Sequence, residues 1–219
     1  MAKLNRAGRK HKRSEGTKTV QPGNYLIVTE GTETEVNYFN NIKQILEKSF
    51  NNNIIVERVT LKVEGTARST TVLVNEAIKK RSLKSYSDVW VVFDRDENTD
   101  FDEAIKLAEK KGMNVAWSNE SFELWLLLHF QNLNAAIHRD DYIAKLNNHF
   151  KNKNLNNGKY DKNISDIFDI TFPYVNAAIK RSNSLIEDHE KDNIFSPNKM
   201  NPGTKVQDLV SELIKYIKK

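Results

Sequence analysis

The sequence predicts an α/β fold: a parallel sheet with helices on both faces, followed by a helical C-terminal lobe. Three observations lead there. Short, continuously apolar runs such as Tyr25-Leu26-Ile27-Val28 and Val89-Trp90-Val91-Val92-Phe93 read as strands buried on both faces. Stretches with apolar residues at helical spacing alternate with those runs four times over residues 24–130. Beyond residue 131 the strand signals stop and helical periodicity remains. The domain organisation expected is a basic, disordered tail over 1–20, an α/β domain over 21–130, and a helical lobe over 131–219 packed on the same domain.

The elements follow in order. Tyr25–Val28 is the first strand. Thr32 stands three residues before Glu35 as a capping box for a helix whose stripe is Val36, Phe39, Ile42 and Leu46. Asn51–Asn53 breaks that helix, and the β-branched run Ile54–Val63, with Val59, Leu61 and Val63 on one face, is a second strand. Leu73, Val74, Ala77 and Ile78 mark the second helix, and Asp88–Phe93 the third strand. Asp100 and Glu103 open the third helix, striped by Phe101, Ala104, Ile105 and Ala108 and stopped by Gly112. Asn114–Trp117 is a fourth strand, and Phe122–Phe130 an apolar helix. Asn147–Asn163 reads as a polar connection. Two later helices carry Val175, Ala178, Ile179, Ser182 and Ile186, and then Val206, Leu209, Val210, Leu213, Ile214 and Ile217, the last capped by Thr204 with Gln207. Crossovers between parallel strands are expected to be right-handed.

The chain of 219 residues contains no cysteine, which excludes disulfides, cysteine nucleophiles and thiolate metal sites. Any metal must be held by oxygen or histidine. No apolar run reaches the roughly 18 residues of a membrane helix, and no secretory signal opens the sequence. The expectation is a soluble, cytoplasmic protein with no membrane association. The net charge is +5, yet residues 1–20 hold seven basic residues against Glu15 alone, so the rest of the chain is close to neutral. Such a tail either grips phosphates or is simply a solvated terminus.

In open parallel sheets ligands bind beyond the carboxyl ends of the strands. Glu30-Gly31 follows the first strand, Asp94-Arg95-Asp96-Glu97 the third, and Ser118 to Glu123 the fourth. Carboxylates therefore gather at one edge from three places. Asp94 and Asp96, two apart, point to one side of an extended backbone. Such acids repel one another unless a hard divalent cation such as Mg²⁺ neutralises them. The commonest duty of an acid at a strand-to-helix turn is capping. Thr32 with Glu35 and Asp100 with Glu103 fill that duty here, which leaves Glu30, Asp94 and Asp96 for a metal. Glu123 is either a first-turn acid favoured by the helix dipole or a further ligand. Arg95 points away from the aspartates as a structural residue. Gly31 admits close backbone approach to a phosphate, although no nucleotide-binding glycine loop is present. The five histidines share no spacing, and His129 reads as a satisfied helix residue.

The segments LIVTEGTETEVNYF, VWVVFDRDE, SNESFELWLLLHF and NPGTKV, in that order, resemble the RloB family, Toprim-related proteins associated with restriction and abortive-infection loci. One departure is Glu120, where that family is expected to carry proline; both residues suit a first helical turn. The resemblance implies a Toprim-like sheet and a Mg²⁺-dependent nuclease, with Mn²⁺ as a substitute. Glu30 is then a metal ligand or general acid/base, Asp94 and Asp96 the metal-binding pair, and Glu123 a later ligand of a two-metal site. A catalytic lysine is implied, for which Lys159 is the candidate. The partners implied are nucleic acid, DNA or RNA, and an ATPase of the same defence system; a homo-oligomer is compatible. The alternative is a non-catalytic phosphate- or nucleic-acid-binding regulatory module of a defence complex.

Overall fold

The strands of the first 130 residues align in parallel because each is joined to the next by a helix long enough to cross over. The computed structural model describes residues 23–31, 33–50, 54–58, 70–96 and 98–217. Thr32, the break at Asn51–Asn53, the positions Val59, Leu61 and Val63, and the tail 1–20 lie outside them. In chain order the elements are β1 (Tyr25–Thr29), α1 (Thr34–Phe50), β2 (Ile54–Arg58), α2 (Thr70–Arg81), β3 (Asp88–Asp94), α3 (Phe101–Lys110) and β4 (Asn114–Asn119). There follow α4 (Glu123–Leu128), α5 (Arg139–Lys153), α6 (Ile167–Thr171), α7 (Val175–Lys191), β5 (Gly203–Thr204) and α8 (Val206–Ile214).

The described strands form one sheet in the order β2-β1-β3-β4-β5, parallel except at β5. From β1 the chain moves outward to β2 on one side and then returns to β3 on the other. That places a topological switch point between β1 and β3, where a crevice opens beyond the strand ends.

Period-two alternation divides the strand residues between two cores. Tyr25, Ile27, Trp90, Val92 and Ala116 face one core shared with α1 and with α4 to α8. Leu26, Val28, Val89, Val91, Phe93 and Trp117 face the other, closed by α2 and α3. Helices thus cover both faces, and the C-terminal helices build the same core as the sheet. Among the described residues no helix is long and apolar enough to cross a membrane.

Four local expectations are corrected. Asn147–Asn163 is not a plain connection: α5 runs to Lys153, burying Tyr142, Leu146 and Phe150 at four-residue spacing under a polar Asn/Lys surface. It ends on Asn154 in the left-handed conformation. The short helix α6 also had no sequence signal. Strands do not end at residue 131, because Gly203–Thr204 adds an antiparallel edge against Ser118 and Asn119. Thr204 Oγ1 does accept from the Val206 N–H at 3.2 Å, but the Gln207 side chain is buried without a hydrogen-bond partner, so no capping box closes there.

The fourth correction concerns Asp100. Its carboxylate makes no cap on its own helix α3. It accepts instead from the Thr70 and Thr71 N–H groups at 3.0 and 2.8 Å, which open α2 thirty residues earlier. A carboxylate there satisfies exposed donors and the positive helix end together. Asp100→Ala is expected to lower stability by about 1–2 kcal/mol, as loss of an N-cap does. Urea unfolding of the two proteins at neutral pH checks this; an unchanged midpoint would mean the link between the helices is idle.

Candidate metal centre

Backbone pairing carries the acids to the switch point. The Glu30 N–H donates to Val92 O at 2.9 Å, so the residue after β1 is locked onto β3. Asp94 ends β3, and its Oδ2 accepts from the Phe122 N–H at 3.0 Å, tying it to the turn before α4. Glu123 is the first residue of α4 and is 4% exposed. Its Oε1 accepts from the Tyr160 hydroxyl at 3.2 Å and pairs with Lys162 Nζ at 3.3 Å. Glu30, Asp94, Glu123 and Lys162 together line a cavity of about 370 Å³.

Of the described residues, eight carboxylates and two cations, Arg139 and Lys162, line that cavity. Burial and crowding act on the acids in the same direction. Burial raises the Asp94 carboxyl well above the usual range, and the charges of Glu35, Glu123 and Glu30 add to it; the Phe122 N–H opposes. Burial also pushes Glu35 up to about 7, offset in part by its own backbone N–H, with Glu123 and Glu30 raising it and Lys162 lowering it.

Sequence reasoning assigned Glu35 to a capping box, yet its carboxylate belongs to this cavity. It lies directly against Gly31, where an added Cβ would come within 1.9 Å of Glu35 Oε2. Gly31 therefore makes room for that carboxylate. Glu30, Asp94, Asp96 and Glu123 all line the same cavity, but Asp94 and Asp96 do not share an extended backbone. The strand ends at Asp94, and Asp96 has φ of +40°. Its carboxylate is ion-paired with Arg139 of α5. Arg95 reaches the other way, to Asn198 and, at 3.3 Å, to Glu120.

Glu120 is not in a first helical turn. It sits before α4 with φ of +82°, a conformation closed to proline, whose ring holds φ near −65°. Its carboxylate also accepts from Asn201 Nδ2 at 2.9 Å. Lys159 is exposed and does not line the cavity. The lysine that does is Lys162, three residues on, held where its carbonyl accepts from Thr34 Oγ1 at 3.1 Å. No local signal distinguishes the two lysines; only the fold does.

The donor set suits a hard divalent cation: carboxylate oxygens, a cavity with room for retained water, and negative charge in excess. Among the described residues no three His, Asp or Glu side chains stand close enough together to hold a metal as they are turned here. Asp96 is turned to Arg139, Glu123 to Tyr160 and Lys162, and Asp94 to the Phe122 N–H. The fit is thus one of donor chemistry and charge.

No curated protein and no solved structure shows significant similarity to the chain. The family described as RloB-like protein matches residues 25–213, a span that takes in every acid of the cavity and the helices that close it. The chain is therefore a member of the RloB-like family.

Proposed function

We propose that the protein is a Mg²⁺-dependent, Toprim-type nuclease that hydrolyses phosphodiesters and serves bacterial antiphage defence beside an ATPase partner in the cytoplasm. The observation that carries this reading is the half-buried Asp94 carboxylate at the switch point, which shares one cavity with Glu30, Glu35 and Glu123. Such an arrangement is costly for a protein to keep for folding alone.

Glu30, Asp94, Asp96 and Glu123 would hold the cation. When bound, the cation supplies a Lewis acid for a phosphoryl oxygen and a water of lowered pKa. The chain's own part is to aim that chemistry. Asp94 is oriented by the Phe122 N–H, and Glu123 by the Tyr160 hydroxyl, which burial keeps protonated as a donor. Glu35, poised near neutrality, can hold or release a proton at its carboxylate inside the cavity. Arg139 and Lys162 offer positive charge to a phosphate at the rim.

The test is incubation of purified full-length protein with end-labelled DNA and RNA in Mn²⁺, Mg²⁺ or EDTA. Cleavage of one of them in either metal and none in EDTA is expected, together with a rise in Tm on adding Mn²⁺. Metal-dependent binding without cleavage of either polymer would favour the regulatory module instead.

A further inference from the structure

Ser121 stands in the cavity wall between Glu120 and Phe122 and is 8% exposed. Its Oγ is buried and has no hydrogen-bond partner. A buried hydroxyl in that state costs stability, and native structures avoid it unless another need is met. Helix capping does not account for it, because the start of α4 receives no side-chain cap. The other side-chain donors of the wall, Thr34, Arg139 and Lys162, each already have a protein partner. Thr34 Oγ1 donates to Lys162 O, Arg139 is paired with Asp96, and Lys162 with Glu123. The next backbone N–H, of Phe122, is taken by Asp94.

From this we infer that Ser121 is a substrate-binding residue whose hydroxyl donates a hydrogen bond to a non-bridging phosphate oxygen of a nucleic acid held in the cavity. A cation is already offered charged oxygens in excess and gains little from a neutral one. A phosphate oxygen accepts only, and the carboxylates around it cannot donate while ionised. The unpartnered Ser121 O–H in the same cavity wall is the complementary group. This inference rests on the nuclease reading and adds to it the side chain that recognises the phosphate.

The experiment compares wild type, Ser121→Ala and Ser121→Thr as full-length proteins in three measurements. These are Tm in EDTA, Mn²⁺ affinity by calorimetry, and affinity for fluorescein-labelled oligothymidylate and oligouridylate with Ca²⁺ replacing Mn²⁺. Ser121→Ala is expected to keep or raise Tm and to leave Mn²⁺ affinity unchanged. It is expected to weaken binding of the oligonucleotide that wild type holds by about fivefold, the effect of one hydrogen bond. Ser121→Thr, which retains the hydroxyl, restores most of that loss. A fall in Tm with unchanged oligonucleotide affinity would make the hydroxyl structural and overturn the inference. Weakened Mn²⁺ binding would make it a metal ligand and overturn it equally. If wild type binds both Mn²⁺ and oligonucleotide and Ser121→Ala matches it, this inference alone fails. If wild type binds neither, the nuclease reading fails and this one with it.

Discussion

Asp94→Asn is expected to reduce metal-dependent cleavage by at least about a hundredfold, the scale on which loss of one organised charge acts in a buried site. The fold should survive. An asparagine Oδ1 can still accept from the Phe122 N–H, so the turn before α4 keeps its anchor. What disappears is a carboxylate that burial and three acidic neighbours already penalise. In EDTA the variant's Tm should equal or exceed that of wild type, because removing the charge relieves repulsion among Glu30, Glu35 and Glu123. The same variant should gain less Tm from Mn²⁺ than wild type does. Asp96→Asn shares the expected loss of cleavage but not the gain in apo stability, since Asp96 is compensated by Arg139. Full cleavage by Asp94→Asn would remove this residue from the chemistry.

The second large effect is on acid stability and comes from His129, which does not line the cavity. Its ring is 1% exposed and lies edge-on to Tyr38 and Trp125. Nδ1 lies 3.0 Å from Trp125 O, a carbonyl that only accepts, so Nδ1 carries the proton of the neutral ring. Nε2 is buried with no partner, so the residue is only half satisfied.

Burial lowers its pKa to about 4 from the ordinary 6.5. A histidine lowered in this way stays neutral when folded and takes a proton when unfolded. The stability it permits is complete above pH 6.5 and is lost as the pH falls towards 4. The full loss is about 3 kcal/mol, from 1.36 kcal/mol per pH unit. Urea unfolding at pH values between 7 and 4 should show wild type losing that much more than His129→Leu over the same interval. Parallel pH profiles would mean the ring titrates normally and is reached by water. Comparing the two proteins isolates the histidine, because Glu35 and Asp94 titrate in both and act with the opposite sign.

The sequence by itself determined the four parallel strands, the two covered faces of the sheet and three corners of the cavity. Val89 to Phe93 is apolar on both faces because both faces are packed, so its strand character is written in composition. Glu30, Asp94 and Glu123 follow directly from where strands end, and a parallel sheet puts strand ends on one edge. The family match spans these same segments. Only the tertiary structure decided what contact between distant residues fixes. Asp100 resembles a cap for the helix that follows it, but α2 and α3 pack side by side and bring the start of α2 to its carboxylate. Glu35 looks like a capping-box acid until burial beside Glu123 makes it part of the cavity. Lys162 and Lys159 are equivalent in sequence; the anchoring of the Lys162 carbonyl by Thr34 turns one towards Glu123 and leaves the other in water. Ser121 carries no signal at all, because an unpartnered hydroxyl is recognised only when every neighbour is in place. Periodicity reports which face of an element is buried, whereas the partner of a single polar atom is set by chain segments tens to more than a hundred residues away.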